Sequence, residues 1–220
     1  MAPIAEDLLL LLLDNASARP ALDRACRERL LSAAVLLDLA HACRIRPAVD
    51  SEPVPTGRLV VLDGPDPVDP VMAPALVLLL RRPISPAVAI AKLRRGVAPT
   101  VLRQLERCGQ IQQVRLQANG LKRPRAWPLV DRGRVTRVRA AMMSALFDDS
   151  RPDPVTASII SLLYTVEGLG AVLSLNDRGW QWVLSRAGDI ASGTWVGDSE
   201  PELPEVNLAV TMAAVRQALQ

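Results

Sequence analysis

The sequence predicts a single, mainly α-helical domain carrying one β-hairpin, and three observations lead there. Half of the 220 residues are hydrophobic but only 3% are aromatic, so the core must be built from Leu, Val, Ile and Ala, of which Leu and Ala are strong helix formers. Residues 23–42 and 134–147 carry helical patterns of apolar side chains. The one clear β signal is Asn119-Gly120, the pair preferred in tight type I′ hairpins. A chain of this length buries a substantial core, and with no internal repeat or linker it reads as one domain over residues 1–220.

The first element is the run of six leucines at 8–13, preceded by Glu6-Asp7 and closed by Asp14. A secretory signal needs a cationic start, and a membrane span needs about 20 apolar residues. Acids on both flanks exclude both, which leaves a short element buried on all sides. Residues 15–20 read as a turn. The helix over 23–42 has a second half, 30–40, that is apolar almost all round and so reads as central. Short β-like runs at 44–49 and 58–62 flank a turn with Pro53, Pro55 and Gly57. A loop at 63–67 leads into an apolar stretch, 71–80, that Pro74 interrupts.

Ser85-Pro86 is a helix start, with the hydroxyl as cap and Pro in the first turn. It opens a segment to about residue 95, and a second helix follows over 97–108, closed by Gly109. Strands at 110–118 and 121–127 form the hairpin, with Pro124 marking the second as an edge. After the 134–147 helix, Asp153-Pro154 opens an apolar helix to Tyr164. A polar, Gly-bearing region with Trp180, Trp182 and Trp195 separates it from a C-terminal helix over 205–219.

Charge is distributed unevenly. Residues 1–80 carry 7 basic and 11 acidic side chains, residues 81–139 carry 15 and 2, and residues 140–220 carry 4 and 10. A strongly cationic middle between acidic ends draws anionic partners: phospholipid headgroups, nucleic acid or an acidic protein surface. Nucleic acid is not expected, because stacking aromatics are scarce on the basic segment. The densest basic stretch is Lys122, Arg123, Arg125, Arg132, Arg134, Arg137 and Arg139, beside Trp127 and Leu121. Two readings stand for it: a phosphate-gripping face with Trp127 at a membrane interface, or a solvated face with Trp127 packed under the hairpin.

No enzyme is expected. The one histidine, His41, ends an apolar helix and reads as structural, and there is no G-x-S-x-G, phosphate loop or dinucleotide fingerprint. Asp63, Asp66 and Asp69 are spaced like a cation loop, but the prolines between them and the missing closing Glu argue against calcium. Cys26, Cys43 and Cys108 are too widely spaced for a disulfide framework or a zinc site; they are expected as small buried thiols in a reducing cytoplasm. Neither metal nor cofactor is called for.

Several landmarks stand in order along the chain: residues 5–11 (Ala-Glu-Asp followed by leucines), Leu36-Leu37-Asp38-Leu39-Ala40 with Arg44-Ile45 after it, and Leu59-Val60-Val61-Leu62-Asp63 before a proline loop. Residues 102–109 with the hairpin, Trp127-Pro128-Leu129, Pro152-Asp153-Pro154 and Asn207-Leu208-Ala209-Val210 complete the set. Together they resemble the Golgi phosphoprotein 3 family, which includes many bacterial proteins, over essentially the whole chain. The resemblance implies a central hydrophobic helix bundle surrounded by amphipathic helices, with a projecting hairpin that supports self-association.

It also implies a peripheral membrane adaptor. The family's eukaryotic members bind phosphatidylinositol 4-phosphate at the Golgi and retain glycosyltransferases by gripping short cytoplasmic tails. Their headgroup site uses a Trp, an Arg nine residues later and two basic residues on a later helix. The matching positions here are Asp23, Ser32, Arg95 and Ala98, so only Arg95 keeps its basic character. The candidate headgroup residues are therefore Lys92, Arg94, Arg95, Lys122, Arg123, Arg125 and Arg134, with Trp127 and Leu121 as candidates for membrane insertion or hairpin packing. The expected location is the cytoplasm or the inner face of the membrane. The rival expectation is a soluble module whose basic face holds acidic protein segments and ignores lipid.

Overall fold

Ten consecutive residues of the first helix, α1 (Ile4–Leu13), are all buried, including its two acids. The computed structural model describes residues 3–64, 69–115, 125–148, 150–173, 177–196 and 202–220. The six leucines are at most 1% exposed, and each contributes on the order of 2 kcal/mol by leaving water. Such a helix needs neighbours on every side, and α2 (Arg24–His41) is the chief one. Residues 30–40 of α2 are likewise buried all round. The expectation of a short enclosed element at the leucine run and a central helix over 30–40 is met, and the buried side chains form one contiguous core.

Helix α1 starts after Pro3 without a side-chain cap of its own. The cap comes from α2: Asp38 accepts from the Ile4 amide at 2.6 Å and the Ala5 amide at 3.1 Å. Two of the amides that a helix start leaves unpaired are thus satisfied from 33 and 34 residues away. Just beyond Asp38, at the same end of α2, the Asn207 side-chain amide donates to the carbonyls of Ala40 and Ile45 at 2.6 and 2.9 Å. These two buried polar residues fix how α1, α2 and the C-terminal helix meet.

The β-like runs form an antiparallel pair, β1 (Ile45–Pro47) with β2 (Leu59–Val61), in the register Ile45↔Val61 and Pro47↔Leu59. Helix α3 (Ala73–Arg81) follows. Pro74, read as an interruption, sits in its first turn, where a missing amide costs nothing. Helix α4 (Pro86–Arg107) starts as expected, with Ser85 accepting from the Val88 amide. Its course corrects the sequence reading, which divided it at Gly96. It is one helix with Pro99 inside. The buried stripe Ala89, Ile90, Leu93, Val97, Val101 and Leu105 runs unbroken across the division and packs on α2. That packing outweighs the roughly 3 kcal/mol an interior proline costs.

The hairpin is described at its base only, as β3 (Val114–Arg115) paired with β4 (Arg125–Ala126). An isolated bridge, Ile111↔Leu129, extends the base. Arg115 lies opposite Arg125, whereas an unbroken ladder closing on a two-residue Asn119-Gly120 turn sets Arg115 opposite Pro124. The tip itself, with Leu121, Lys122 and Arg123, lies outside the described residues.

Helices α5 (Gly133–Phe147) and α6 (Pro154–Thr165) match expectation, and Asp153 caps α6 through the Val155 and Thr156 amides. After a short 3-10 turn at Leu169–Ala171, a second correction appears. The region read only as polar and Gly-bearing, with no element assigned, contains helix α7 (Asp177–Ser192), which buries Val183, Ala187, Ile190 and Ala191 at helical spacing. Gly179 and Gly188 obscured that period. Helix α8 (Leu203–Leu219) ends the chain. The cysteines correct a third expectation: Cys26 and Cys43 are half-buried and Cys108 is exposed.

Burial pushes the Asp38 carboxyl up to about 8, against the pull of the two amides it accepts from. The unfolded chain releases that proton near pH 4, so the folded state holds more protons between about pH 4 and 8. Asp38 therefore makes stability fall as pH rises through that window and adds no slope above it. Denaturant melts across pH, compared between the wild type and Asp38→Asn, are expected to show this component in the wild type alone. Asp38→Ala, which strands both α1 amides, is expected to cost about 1–3 kcal/mol below about pH 4, where the carboxyl is neutral in both states, and less as pH rises through the window.

Candidate anion-binding surface

The cations of the basic middle segment fall into three groups by what they touch. Arg134, at the start of α5, reaches α1: its Nη1 donates to Glu6 Oε2 at 2.7 Å and its Nε to Asp7 Oδ1 at 2.6 Å. The side chains are 18%, 5% and 3% exposed, so the triad is nearly out of water. Burial opposes the Arg134 charge, but the charges and hydrogen bonds of Asp7 and Glu6 outweigh it and hold the guanidinium above its ordinary pKa. Burial likewise pushes the Asp7 carboxyl up, against the pull of Arg134. One turn on, Arg139 donates to Asp14 at 2.9 Å and to the Val172 carbonyl. Arg134 was a candidate headgroup ligand; its guanidinium is engaged in holding α1.

The second group lies on α3 and α4. Arg81, Arg82, Lys92, Arg94 and Arg95 are exposed, and none has an ion-pair partner among the described residues. Residues 73–107 contain seven basic side chains and one acid, Glu106. Glu106 accepts from the Gln113 amide at 3.1 Å. Among these cations stand three exposed apolar side chains: Val77 at 53%, Leu80 at 60% and Val88 at 41%. A shallow groove of about 420 Å³ runs between Pro74 of α3 and Thr100, Arg103 and Arg107 of α4. Ala98, on the same helix, is half-buried against the core.

The hairpin base presents a third arrangement. Arg115 and Arg125 face each other across the ladder, both exposed; like charges so placed repel. Trp127 is half-buried against the core, and its amide donates to the Ala18 carbonyl at 2.6 Å. That bond ties the hairpin base to the loop between α1 and α2. Between them lies a groove of about 780 Å³ lined by Arg19, Arg24, Arg27, Arg125 and Trp127. No carboxylate lines it. Sequence reasoning passed over Arg19 and Arg27, because they sit in the third of the chain that is acidic overall; the signal was local, four arginines within residues 19–29.

Two of the positions matching the family headgroup site, Asp23 and Ser32, are engaged within α2. Asp23 is the N-cap of α2, accepting from the Ala25 and Cys26 amides at 2.8 and 3.0 Å. Ser32 is fully buried and donates to the Glu28 carbonyl. His41 is half-buried, and burial pushes its pKa down. Among the described residues no group of three His, Cys, Asp or Glu side chains could hold a metal ion.

Removing Arg134 leaves two buried carboxylates without their cation. Arg134→Ala is therefore expected to lower stability by about 3–5 kcal/mol, read by denaturant melts. Arg94→Ala, at an exposed and unpaired site, is expected to stay within about 0.5 kcal/mol of wild type.

The comparisons with known proteins bear on the whole chain. No helix among the described residues is long and apolar enough to cross a membrane. No curated protein matches the chain. The profile of the family described as Golgi phosphoprotein 3 (GPP34) matches residues 4–210, which takes in α1 with its buried acids, the α4 cations and the hairpin. On that match, covering nearly all of the fold, the chain belongs to the Golgi phosphoprotein 3 family.

Proposed function

We propose that the protein is a non-catalytic peripheral membrane adaptor that binds anionic phospholipid through the exposed cations of α3 and α4. One observation carries this reading. The 73–107 segment holds seven basic side chains against one acid, and Arg81, Arg82, Lys92, Arg94 and Arg95 have no ion-pair partner among the described residues. Elsewhere, Arg134 and Arg139 are matched to acids of α1 and its end. A solvated face that served only solubility has no need to exclude acids so thoroughly, since mixed signs serve that purpose.

The chemistry suits a bilayer surface. A basic side chain near an anionic leaflet contributes about 1 kcal/mol, screened over roughly 8–10 Å at physiological salt. Five such groups give attachment on the order of 5 kcal/mol, which is reversible and salt-sensitive. Val77, Leu80 and Val88 add apolar surface that a headgroup layer covers and water does not. A short cytoplasmic tail of a membrane protein is the kind of cargo such an adaptor holds, and pairing of hairpins between copies is the proposed route to an oligomer.

Flotation with phosphatidylcholine vesicles, with and without phosphatidylserine, tests the reading. Recovery is expected with the anionic vesicles alone and is expected to fall as salt rises. Replacing Lys92, Arg94 and Arg95 together by Ala removes about 3 kcal/mol, so binding is expected to weaken roughly a hundredfold. Equal recovery on both vesicle types at low salt sinks the proposal. Failure to float, combined with capture of acidic peptides that the triple variant loses, replaces it with the protein-interaction module.

A further inference from the structure

We infer that the cavity where α6, α7 and α8 meet binds a small amino acid with an apolar side chain. Glu167 takes its ammonium, Arg216 its carboxylate, and Trp180 and Leu184 its apolar part. The cavity shares no residue with the α3–α4 cations and does not rest on the function proposed for them.

The cavity holds about 550 Å³, within the range of small-molecule pockets. Each of the three helices supplies part of its wall. Tyr164 comes from the end of α6, Trp180 and Leu184 from successive turns of α7, and Arg216 from α8. Glu167 and Leu169 close it from the segment that follows α6. Tyr164 and Trp180 pack against the core and Leu169 is buried in it, so the apolar walls are fixed by the fold. Gly188 brings α7 close to the Tyr164 ring: a Cβ added there would stand 3.2 Å from the phenolic oxygen.

Glu167 is placed against its own preferences. It follows the C-cap of α6 in left-handed backbone, at φ 54°, where helix ends favour glycine. A glycine is next in the chain, yet Gly168 is right-handed, at φ −91°. The carboxylate also stands at the negative end of the α6 dipole, which disfavours an anion. It is exposed, and it has neither a hydrogen bond nor an ion pair among the described residues. Strain and an unmatched charge together at a cavity wall point to a role outside the fold.

Arg216 is the complementary case. Its Nε donates to the Thr165 hydroxyl at 3.1 Å and its Nη1 to the Ala191 carbonyl, which anchors a half-buried guanidinium. Its Nη2 has no hydrogen bond, and no carboxylate pairs with it, among the described residues.

One anion and one cation thus line the same cavity without pairing with each other. A ligand of single charge satisfies one of them and meets repulsion from the other. A zwitterion satisfies both. Its ammonium offers three N–H donors to the carboxylate, and its own carboxylate accepts from the guanidinium in charge-assisted bonds. Leu184 is 37% exposed, and an apolar side chain laid against it and the indole leaves water. The guanidinium and the rings are in place beforehand, which reduces the ordering cost of binding.

The full chain, labelled with ¹⁵N-tryptophan, is titrated with leucine and with phenylalanine. The Trp180 indole resonance, assigned through Trp180→Phe, is followed. A saturable shift at Trp180 is expected with at least one of the two. Isoamylamine and isocaproate keep the leucine side chain but carry one charge each. Both are expected to bind at least tenfold more weakly than leucine. Glu167→Gln is expected to weaken leucine about tenfold. Glu167→Gly, which also relieves the backbone, is expected to lose binding while its denaturation midpoint holds or rises, so loss of the site is told apart from loss of the fold. No saturable shift with either amino acid, single-charge analogues as tight as leucine, or unchanged affinity in both Glu167 variants overturns the inference. Flotation on anionic vesicles is expected to be unaltered in Glu167→Gln, which keeps this test separate from that of the α3–α4 surface.

Discussion

Burying α1 whole is the constraint on which the rest of the structure depends. A ten-residue helix with every side chain out of water gains from its six leucines, but it also drags two acids and a set of unpaired amides into the interior. Each of these costs several kcal/mol unless matched. The match comes from distant elements: Asp38 of α2 takes the amides, Arg134 of α5 takes Glu6 and Asp7, and Arg139 takes Asp14. The neighbours of α1 are thus selected by charge as well as by shape, and the order in which α2 and α5 pack around it follows from that.

The same constraint sorts the arginines. A census by sequence segment treats residues 81–139 as one cationic block, yet its members have different fates. Those at the start of α5 are drawn inward by the acids of α1. Those on α4 are exposed and meet no acid among the described residues, while the apolar stripe of α4 packs chiefly on α2. The polar surface of α4 is left with cations of a single sign. Uncompensated positive charge on this molecule is therefore a product of the core's own electrostatic needs, which remove some arginines from the surface and leave others.

Much of this was legible in the sequence, where the signal is local. Caps such as Asp23, Ser85 and Asp153 act within three residues, and the buried stripe of a helix repeats within four, so α2, α5, α6 and α8 could be read directly, whereas the leucine run showed burial but not its helical form. The errors in the helices have one cause. Gly96 and Pro99 in α4, and Gly179 and Gly188 in α7, are local breakers overridden by packing that a linear reading does not see. Among the site residues the same division holds. Exposure of Lys92, Arg94 and Arg95 followed from their place beside the apolar stripe of α4. The engagement of Arg134 depended on acids 127 and 128 residues away, and no spacing rule reaches that far. Asp38, an acid inside an apolar run, and Asn207 were visible as anomalies, but their partners were not.

Two of the three altered headgroup positions, 23 and 32, fit the same logic. An aromatic and a cation at 23 and 32 require a ligand to complete their surroundings. Asp23 and Ser32 require none, because the first caps α2 and the second returns its hydroxyl to the Glu28 carbonyl within the helix. Replacing ligand-facing groups by self-satisfied ones closes one site without destabilising the helix that carried it. An aspartate at the N-cap also places negative charge where the α2 dipole favours it. The positive charge near this helix start sits instead on Arg19 and Arg27, and the hairpin base adds Arg125 from outside. The loop before α2 thus keeps a cationic surface beside the hairpin while the atoms that present it are different ones.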